Sequence, residues 1–185
     1  MNTNQLNIYI GSMYAGKSSE IIKIVKTFEA AHVNYLVITH SMENRYDQNY
    51  LSTHDNKKIP CEKLSNIKNI YNLKTFSDAS IILIDEAQFF EDLLDVISIV
   101  ETYKKTVYVF GLDGDFKRNK FGNILDLIPY CDNVCKLKSI CYSCKEPGIF
   151  SLRISDSISQ VLVGSSNDYQ PVCRKCYLSI TNNNI

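Results

Sequence analysis

Residues 11–18 read Gly11-Ser12-Met13-Tyr14-Ala15-Gly16-Lys17-Ser18 and satisfy the pattern Gly-x-x-x-x-Gly-Lys-Ser in full. The apolar run Leu6–Ile10 precedes this segment, and apolar residues at helical spacing follow it as far as Ala31. Glycines let such a loop curl so that its backbone N–H groups point at phosphate oxygens, beside the positive end of the following helix. The segment therefore predicts a strand–loop–helix unit that binds a nucleoside triphosphate, with Lys17 on the β- and γ-phosphates and Ser18 on Mg²⁺.

The apolar run Ile81–Ile84 ends in two acidic residues, Asp85 and Glu86. A short continuous apolar run is typical of a strand that is buried on both faces of a parallel sheet. Ligands of open α/β sheets bind at the carboxyl ends of such strands. We therefore expect Asp85 to hold the Mg²⁺ shell, through water, and Glu86 to orient or deprotonate an attacking group. An acidic strand end that merely meets solvent is the alternative interpretation.

Further segments continue this alternation of strands and helices. Residues 35–39 and 106–110 predict strands, residues 91–103 carry apolar positions at helical spacing, and the polar region 41–58 predicts a long loop. Together they predict an α/β fold of the P-loop NTPase type, a mainly parallel sheet flanked by helices. We place this nucleotide-binding domain at residues 1–138, a small second module at 139–178 and a flexible tail at 179–185.

Four of the seven cysteines form two Cys-x-x-Cys pairs, Cys141 with Cys144 and Cys173 with Cys176, separated by 28 residues. Four thiolates at this spacing supply the closed tetrahedron of sulfur ligands that structural Zn²⁺ prefers. A redox-active dithiol is the rival, although one pair would suffice for it. An odd cysteine count without a secretion signal favours a reducing compartment over a disulfide framework. The other three cysteines are interpreted as small buried apolar residues.

The composition limits the partners of this chain. Its 185 residues include 20 Lys and Arg and 20 Asp and Glu, so the formal net charge is zero. Proteins that coat nucleic acid or an acidic membrane are normally basic, which disfavours both as main partners. No apolar run approaches the roughly 18 residues that span a bilayer, and the N-terminus lacks the pattern of a signal peptide. We expect no nucleic-acid partner and no membrane.

Several candidate residues carry little weight from their pattern alone. Residues 160–164 have strong extended propensity and end in a glycine, and composition favours an ordinary hairpin strand over a segment that recognises a heterocycle. Arg45 lies in the polar loop, where a solvated arginine is the more common situation, and His54 is interpreted as a loop residue. Phe116 follows the strand at 106–110 and either stacks on a base or belongs to the core.

Together these segments resemble the type II thymidine kinases, a family that includes the cytosolic animal enzyme and the poxviral ones. The resemblance covers nearly the whole chain, from Ile8 to Tyr177, and is greatest to viral members. Its segments, in chain order, are residues 11–18, Asn44-Arg45-Tyr46, Thr53-His54-Asp55, Ile84-Asp85-Glu86-Ala87-Gln88-Phe89-Phe90, Leu112-Asp113-Gly114, Phe121-Gly122 and Val172-Cys173-Arg174-Lys175-Cys176-Tyr177.

The resemblance implies ATP- and Mg²⁺-dependent phosphorylation of the thymidine 5′-hydroxyl, with Glu86 as the base that accepts its proton. It implies that the following residues hold ATP and Mg²⁺: Gly11, Ser12, Met13, Tyr14, Ala15, Gly16, Lys17, Ser18, Arg45 and Asp85. It makes the second module a zinc-binding subdomain that bears a lasso, the name used below for residues 160–164, which hydrogen-bonds the base largely through main chain. The implied thymidine site consists of pocket walls and the lasso: Met13, Leu112, Phe116, Phe121, Tyr169, Gln160, Val161, Leu162, Val163 and Gly164.

The resemblance further implies a homotetramer, feedback inhibition by thymidine triphosphate (dTTP) and a cytoplasmic location, in the host if the chain is viral. Two positions depart from the family pattern. Glu43 stands where the family commonly has an aspartate two residues before the loop arginine. Gln160 stands where a small apolar residue commonly faces the base, which bears on the tolerance for 5-substituted thymidine analogues.

The residues by themselves leave three other functions open. The first is an ATPase or helicase-like module that holds nucleic acid with its zinc element, which the zero net charge disfavours. The second is a non-catalytic ATP-binding switch for a protein partner. The third is a kinase for another small acceptor, such as deoxycytidine.

Overall fold

The computed structural model describes residues 4–42, 50–52, 58–155, 159–160 and 168–182. These residues form twelve strands: β1 (Leu6–Ile10), β2 (Tyr35–His40), β3 (Tyr50–Ser52), β4 (Lys58–Pro60), β5 (Glu62–Leu64), β6 (Ile81–Ile84), β7 (Thr106–Gly111), β8 (Asn133–Lys136), β9 (Ser139–Ile140), β10 (Pro147–Gly148), β11 (Phe150–Arg153) and β12 (Tyr169–Val172). Six of them form one sheet in the order β5-β2-β6-β7-β1-β8, in which all neighbours are parallel.

The described residues also form α-helices and 3₁₀ segments around this sheet. The α-helices are α1 (Lys17–Ala30), α2 (Lys74–Asp78), α3 (Val96–Glu101) and α4 (Arg174–Asn182). The 3₁₀ segments are Ile67–Asn72, Ala87–Phe89, Leu93–Asp95 and Ile124–Tyr130. Among these residues no helix has both the length and the apolar character to cross a bilayer.

Alternate residues of the central strands enter two apolar clusters on opposite faces of the sheet. On β6, Ile82 and Ile84 belong to the cluster that contains residues of α2 and α3, whereas Ile81 and Leu83 belong to the cluster that contains residues of α1. A strand that is covered on both faces must be apolar throughout, which explains the continuous run seen in the sequence. The predicted α/β fold, with a mainly parallel sheet flanked by helices, is confirmed.

The helix predicted at residues 91–103 is shorter than its apolar spacing indicates. α3 covers only Val96–Glu101 and follows the 3₁₀ segment Leu93–Asp95. The two carboxylate oxygens of Asp92 accept the backbone N–H groups of Ile67 at 2.8 Å and Lys68 at 3.0 Å. Because this tertiary contact holds the chain at Asp92, the α-helix begins later than its local pattern predicts.

The polar region 41–58, predicted as a long loop, contains regular structure at its described end. β3 pairs antiparallel with β4, and Leu51 and Ile59 are buried in the apolar cluster beside α1. Residues 43–49 and 53–57 lie outside the described ranges. A three-residue strand is too short to produce a recognisable period, so the sequence pattern did not indicate this pair.

The second module consists of two small antiparallel pairs and a helix. β9 pairs with β10, β11 pairs with β12, and α4 follows β12. Within the described ranges its apolar cluster consists of Cys141, Leu152, Val172 and Tyr177, with Phe150, Cys173 and Cys176 packed against it. α4 continues to Asn182, so the segment predicted as a tail begins as a helix.

The three cysteines outside the Cys-x-x-Cys pairs do not share one environment. Cys61 is buried, and burial raises the pKa of its thiol to about 11. Cys131 is half-buried, whereas Cys135 is exposed. The expectation that all three are buried is wrong for Cys135, because β8 lies at the edge of the sheet with all four of its side chains exposed.

Gly122 is a position at which the fold requires glycine. Its φ is +60°, and a Cβ built there would lie 2.1 Å from the backbone oxygen of Gln88. We expect Gly122→Ala to lower the free energy of unfolding by about 1–3 kcal/mol, the usual cost of forcing extra atoms into a packed site. Urea unfolding curves measure the change. Gly114→Ala is the matched control, because the nearest atom to its Cβ would lie at an ordinary 3.4 Å; equal unfolding free energies for the two variants would contradict the prediction.

Candidate active site

The loop between β1 and α1 has the geometry of a phosphate-binding loop. Gly16, immediately before α1, has a φ of 84° and a ψ of 18°, a left-handed conformation that glycine adopts readily. The Lys17 ammonium group reaches back over the loop and donates to the backbone oxygens of Gly11 at 3.1 Å and Ser12 at 2.9 Å. The amino end of the 14-residue helix α1 therefore faces the loop, where its unpaired N–H groups and dipole favour an anion.

A close backbone approach fixes the start of this loop. A Cβ built on Gly11 would lie 2.6 Å from the backbone oxygen of Leu137. Leu137 itself donates its N–H to the Ile10 oxygen at 2.8 Å, so the segment after β8 packs directly beside the loop. A residue with a side chain at position 11 would push these two segments apart.

Asp85 joins the end of β6 to the phosphate loop. The Ser18 hydroxyl donates to Asp85 Oδ2 at 3.4 Å, and Asp85 Oδ1 accepts the backbone N–H of Glu86 at 2.9 Å. Asp85 is 3% exposed. A hydroxyl and a carboxylate oxygen are thus close together at the loop, and both are ligand types that Mg²⁺ prefers.

Glu86 has an unusual backbone conformation beside a buried amide. Its φ is 52° and its ψ 38°, values that are uncommon for residues other than glycine and that cluster at functional sites. Its Oε2 accepts a hydrogen bond from Nε2 of Gln88 at 2.6 Å. Oε1 of Gln88 accepts the backbone N–H of Leu112, just after β7, at 3.0 Å. One amide therefore connects the acidic pair after β6 with the chain after β7.

Arg153 joins three of the residues predicted to contact thymidine. Its guanidinium carbon lies 3.9 Å from the centroid of the Phe116 ring and 4.9 Å from that of Tyr169. The guanidinium also donates to the Tyr169 hydroxyl and to the backbone oxygens of Ser159 and Gln160. Phe116, Gln160 and Tyr169 therefore lie around one cation.

Asp115 makes a second connection to the first lasso residue. The side-chain nitrogen of Gln160 donates to Asp115 Oδ2 at 2.9 Å. Asp115 is 7% exposed, and its Oδ1 also accepts the backbone N–H groups of Lys117 and Asn119. The start of the lasso is thus tied to the chain that follows β7.

Met13 and Phe121, also predicted to line the thymidine pocket, lie on other elements of the site. Met13, in the phosphate loop, donates its backbone N–H to the hydroxyl of Ser151 in β11 at 2.9 Å. The ring of Phe121 is 8% exposed and meets Phe89 edge to face, with centroids 5.7 Å apart. Five residues singled out from the sequence lie outside the described ranges: Arg45, Val161, Leu162, Val163 and Gly164. Glu43 and His54 do so as well.

The four paired cysteines form one cluster in the second module. The sulfur atoms of Cys141, Cys144, Cys173 and Cys176 all lie within 4.8 Å of one another, and those of Cys144 and Cys173 are 3.6 Å apart. A tetrahedron with Zn–S bonds of about 2.3 Å has sulfur–sulfur edges of about 3.8 Å. The donor set and its spacing therefore fit a structural zinc ion, and we assign the cluster as a candidate metal site.

The thiols of this cluster differ in their affinity for protons. Burial alone raises the pKa of Cys141, but hydrogen bonds from the backbone N–H groups of Cys144, Cys173 and Ser143 outweigh it and lower that pKa to about 6. Hydrogen bonds with the sulfur atoms of Cys144 and Cys173 raise the pKa of Cys176 to about 12. Four crowded sulfurs can all be thiolates at once only beside a cation, which is the state that a zinc site requires.

A parallel sheet, a phosphate loop after β1 and an acidic pair after β6 define a nucleotide-binding protein of the P-loop class. Residues 4–177 match the family model described as thymidine kinase, and the chain belongs to the thymidine kinase family. The thymidine kinase of Yaba monkey tumor virus (strain VR587) is 39% identical over 177 residues, which cover 96% of each chain. That of Vaccinia virus (strain Western Reserve) is 36% identical over 178 residues, which cover 96% of this chain and 99% of the viral relative.

These relatives confirm the predicted resemblance to thymidine kinases and to their viral members. Among solved structures, the genome packaging NTPase B204 from Sulfolobus turreted icosahedral virus 2, in complex with ATP-gammaS, is 13% identical. Its TM-score is 0.49, with 74% of this chain and 75% of that chain covered. A likeness of that size adds nothing to the assignment, which rests on the strand order and on the family match.

Two residues of the site, Gln88 and Arg153, were missed from the sequence. Gln88 stands two residues after Glu86 within a quoted motif, but no pattern distinguishes an amide that bonds a carboxylate from one that faces solvent. Arg153 is one of four arginines and has no motif around it. The low arginine count in a chain predicted to bind phosphate was a signal for Arg153, and the sequence held none for Gln88.

Proposed function

We propose that this protein transfers the γ-phosphoryl group of ATP to the 5′-hydroxyl of thymidine, giving thymidine monophosphate and ADP. Family membership over residues 4–177 supports the reaction. The observation that carries it for this chain is the placement of the acidic pair. Asp85 is bonded to Ser18 of the phosphate loop, and Glu86 is bonded through Gln88 to Leu112 on the proposed acceptor side. We therefore infer that the donor and acceptor sites meet at these two adjacent carboxylates.

On the donor side, we assign ATP to the backbone of residues 11–18 and to Lys17. Lys17 bonds the loop carbonyls of Gly11 and Ser12, and we propose that it supplies positive charge to the β- and γ-phosphates when ATP binds. Ser18 and Asp85 would hold Mg²⁺, directly and through water, because their oxygens lie together beside the loop. When bound, Mg²⁺ neutralises phosphate charge. Arg45 is proposed to act on the phosphate side.

In the reaction, Glu86 is proposed to accept the proton of the thymidine 5′-hydroxyl. The 5′-oxygen forms a bond to the γ-phosphorus as the bond from that phosphorus to the β–γ bridging oxygen breaks, and ADP leaves with the electron pair. Because phosphoryl transfer asks the protein mainly for positioning and charge stabilisation, a base that is fixed in place suits it. The half-buried carboxylate of Glu86, held by Gln88, meets this requirement.

On the acceptor side, we propose that the thymine ring stacks on Phe116. Arg153 covers one face of that ring, so we assign the base to the opposite face. Met13, Leu112, Phe121 and Tyr169 are proposed as further walls. The lasso is proposed to bond the base through main-chain groups: Gln160, Val161, Leu162, Val163 and Gly164.

For the second module, we propose a structural Zn²⁺ held by Cys141, Cys144, Cys173 and Cys176. The spacing of the four sulfurs supports this proposal, and four protein ligands leave no position for a reacting water. The module spans residues 139–178 in this proposal, beside a nucleotide-binding domain at 1–138 and a tail at 179–185.

We further propose a homotetramer that is inhibited by dTTP and works in the cytoplasm of an infected host cell. The viral origin of the relatives supports the location, and the exposed edge strand β8 supports assembly, because its outer backbone groups can pair with another chain. Light scattering of the purified protein, with and without dTTP, measures the assembly.

The decisive experiment for the proposed reaction is a panel of nucleosides with γ-labelled ATP. We expect label in thymidine monophosphate, with little transfer to deoxycytidine or to purine nucleosides. Transfer to a different acceptor would make the protein another small-molecule kinase. ADP release without any labelled nucleoside, stimulated by DNA, would instead support the ATPase alternative.

Arg153→Gln is expected to raise the KM for thymidine while the KM for ATP stays near its wild-type value. The change removes the contact with the Phe116 ring and the bonds to the backbone of Ser159 and Gln160. A cation–π contact alone contributes about 0.5–2 kcal/mol, which predicts roughly a 2- to 30-fold rise in KM. Steady-state kinetics with each substrate varied in turn measures this.

The matched control for this prediction is Arg118→Gln. Arg118 also lies over an aromatic ring, 4.6 Å from the centroid of Tyr177, but contacts no described lasso residue. An unchanged thymidine KM in the Arg153 variant, or an equal rise in both variants, would contradict the proposed role of Arg153.

A further inference from the structure

We infer that Gln88 is a positioning residue for proton transfer: it orients the carboxylate of Glu86 and couples that orientation to the wall of the thymidine pocket. This inference rests on the proposed function, because it assigns Gln88 a role through Glu86. Gln88 is 4% exposed, and both ends of its side-chain amide are bonded to the site.

The direction of the Gln88 amide is determined by its partners. The backbone N–H of Leu112 can only donate, so the amide end that faces it at 3.0 Å must be the oxygen. The NH₂ end therefore faces Glu86, where its nitrogen lies 2.6 Å from Oε2. A short bond from an amide to a carboxylate oxygen restricts rotation of the carboxylate about its last torsion. Glu86 is thus presented to the acceptor in one orientation.

Two glycines, which have no side chains, provide the space that Gln88 occupies. A Cβ on Gly111 would lie 2.8 Å from Oε1 of Gln88, and a Cβ on Gly122 would lie 2.1 Å from its backbone oxygen. The side chain and the backbone of Gln88 are therefore each packed against a position without a side chain. Such packing holds a buried polar group in a single rotamer.

The backbone of Glu86 gives an independent reason for this support. A non-glycine residue at a φ of 52° and a ψ of 38° persists only where its surroundings hold it. Asp85 Oδ1 holds the backbone N–H of Glu86, and Gln88 holds its side chain. The two contacts together fix a conformation that the chain would otherwise leave.

The hydrogen bond from Leu112 connects Gln88 to the proposed thymidine pocket as well. Leu112 follows β7 and is proposed as a wall of the thymidine pocket, and its N–H is bonded to the same amide that orients Glu86. One side chain therefore sets both the position of Leu112 and the orientation of the Glu86 carboxylate. The side-chain bonds of Gln88 go to Glu86 and Leu112 rather than to the phosphate loop, so we expect its loss to act on turnover rather than on nucleotide binding.

A double-mutant cycle tests the inference with thymidine as acceptor and labelled ATP as donor. Gln88→Met roughly keeps the side-chain volume and removes both hydrogen bonds of the amide, the one to Glu86 and the one from Leu112. We expect it to lower kcat by about 10- to 100-fold, as expected for loss of a hydrogen bond to a charged group, with the KM for ATP within about twofold of wild type. In a Glu86→Gln background the same change should alter kcat at saturating thymidine by less than about twofold, because the carboxylate that Gln88 orients is already gone and the lost bond from Leu112 acts on the KM for thymidine.

Two further variants keep the test decisive. Gln88→Glu retains the oxygen that accepts from Leu112 but places a carboxylate against Glu86, so it should lose kcat at least as strongly as Gln88→Met. Gln5→Met makes the same chemical change at an exposed position before β1, at the end of that strand opposite the phosphate loop, and should leave kcat unaltered. If Gln88→Met does not fold, Gln88→Glu decides the question.

The outcomes separate the inference from the proposed function. Full kcat in Gln88→Met, or an equal fold loss with and without Glu86, overturns the positioning role while wild-type thymidine phosphorylation stands. A wild-type enzyme that transfers no label to thymidine overturns the proposed function itself. Loss of kcat that disappears in the Glu86→Gln background supports the inference, because a merely structural defect would persist there.

Discussion

Glu86→Gln is expected to lower kcat for thymidine phosphorylation by about 10²–10⁴-fold, the range that general-base catalysis contributes. The substitution keeps the volume of the side chain and a group that can bond Gln88, but an amide does not accept the 5′-hydroxyl proton. Asp85, Ser18 and the phosphate loop are untouched, so ATP binding should remain near wild type. Single-turnover kinetics measures the chemical step, and titration with a fluorescent ATP analogue measures binding.

Glu91→Gln is the matched control for this variant. Glu91 is exposed and lies on the same connection after β6, and its recorded bond uses the backbone oxygen rather than the carboxylate. Its variant should retain wild-type kcat. Near-normal turnover in Glu86→Gln would remove Glu86 from the base role, and a matching loss of ATP binding would assign it to the donor side.

Cys144→Ser is expected to reduce bound zinc from about one ion per chain to well below that and to unfold the second module. Structural zinc contributes about 10–16 kcal/mol of binding free energy in small metal-bound modules at neutral pH. Among the described residues, the apolar cluster of this module has four buried members, of which Leu152, Val172 and Tyr177 are large, and each such side chain contributes about 1.5–3 kcal/mol. The metal is therefore expected to dominate the stability of the module.

Metal analysis of freshly purified protein, together with thermal unfolding and thymidine kinetics, checks this expectation. Cys135→Ser is the matched control, because Cys135 is exposed on β8 and outside the cluster. Its variant should keep zinc, melting temperature and activity. Active wild-type protein that contains no zinc would reject the metal site.

The fold was predictable where local patterns and the tertiary structure agree. The apolar run of β6 is covered on both faces, and the glycine pattern of the phosphate loop lies between a strand and a helix. The prediction failed where a distant contact overrides the local pattern. Asp92 holds the backbone at Ile67 and Lys68, and the helix predicted from residue 91 begins only at Val96.

The candidate site likewise contains residues that the sequence indicated and residues that it did not. Contiguous motifs indicated Lys17, Ser18, Asp85, Glu86 and the four cysteines, because each chemistry requires fixed residue types at fixed spacing. Gln88 and Arg153 each have bonding partners that are distant in the chain or belong to its backbone. The bond from Gln88 to Leu112 spans 24 residues, and the acceptor is a peptide group that no motif records. Such partners become visible only in three dimensions.

The hydrogen bond from Met13 to Ser151 has an energetic consequence for the whole molecule. It attaches the phosphate loop to a strand of the cysteine-bearing module, and Ser12 and Ser139 make a second link at 3.2 Å. By thermodynamic reciprocity, the factor by which bound nucleotide changes the affinity for the proposed zinc ion equals the factor by which that ion changes the affinity for nucleotide. We therefore expect zinc depletion to change the affinity of this protein for ATP as well as the stability of its cysteine-bearing module.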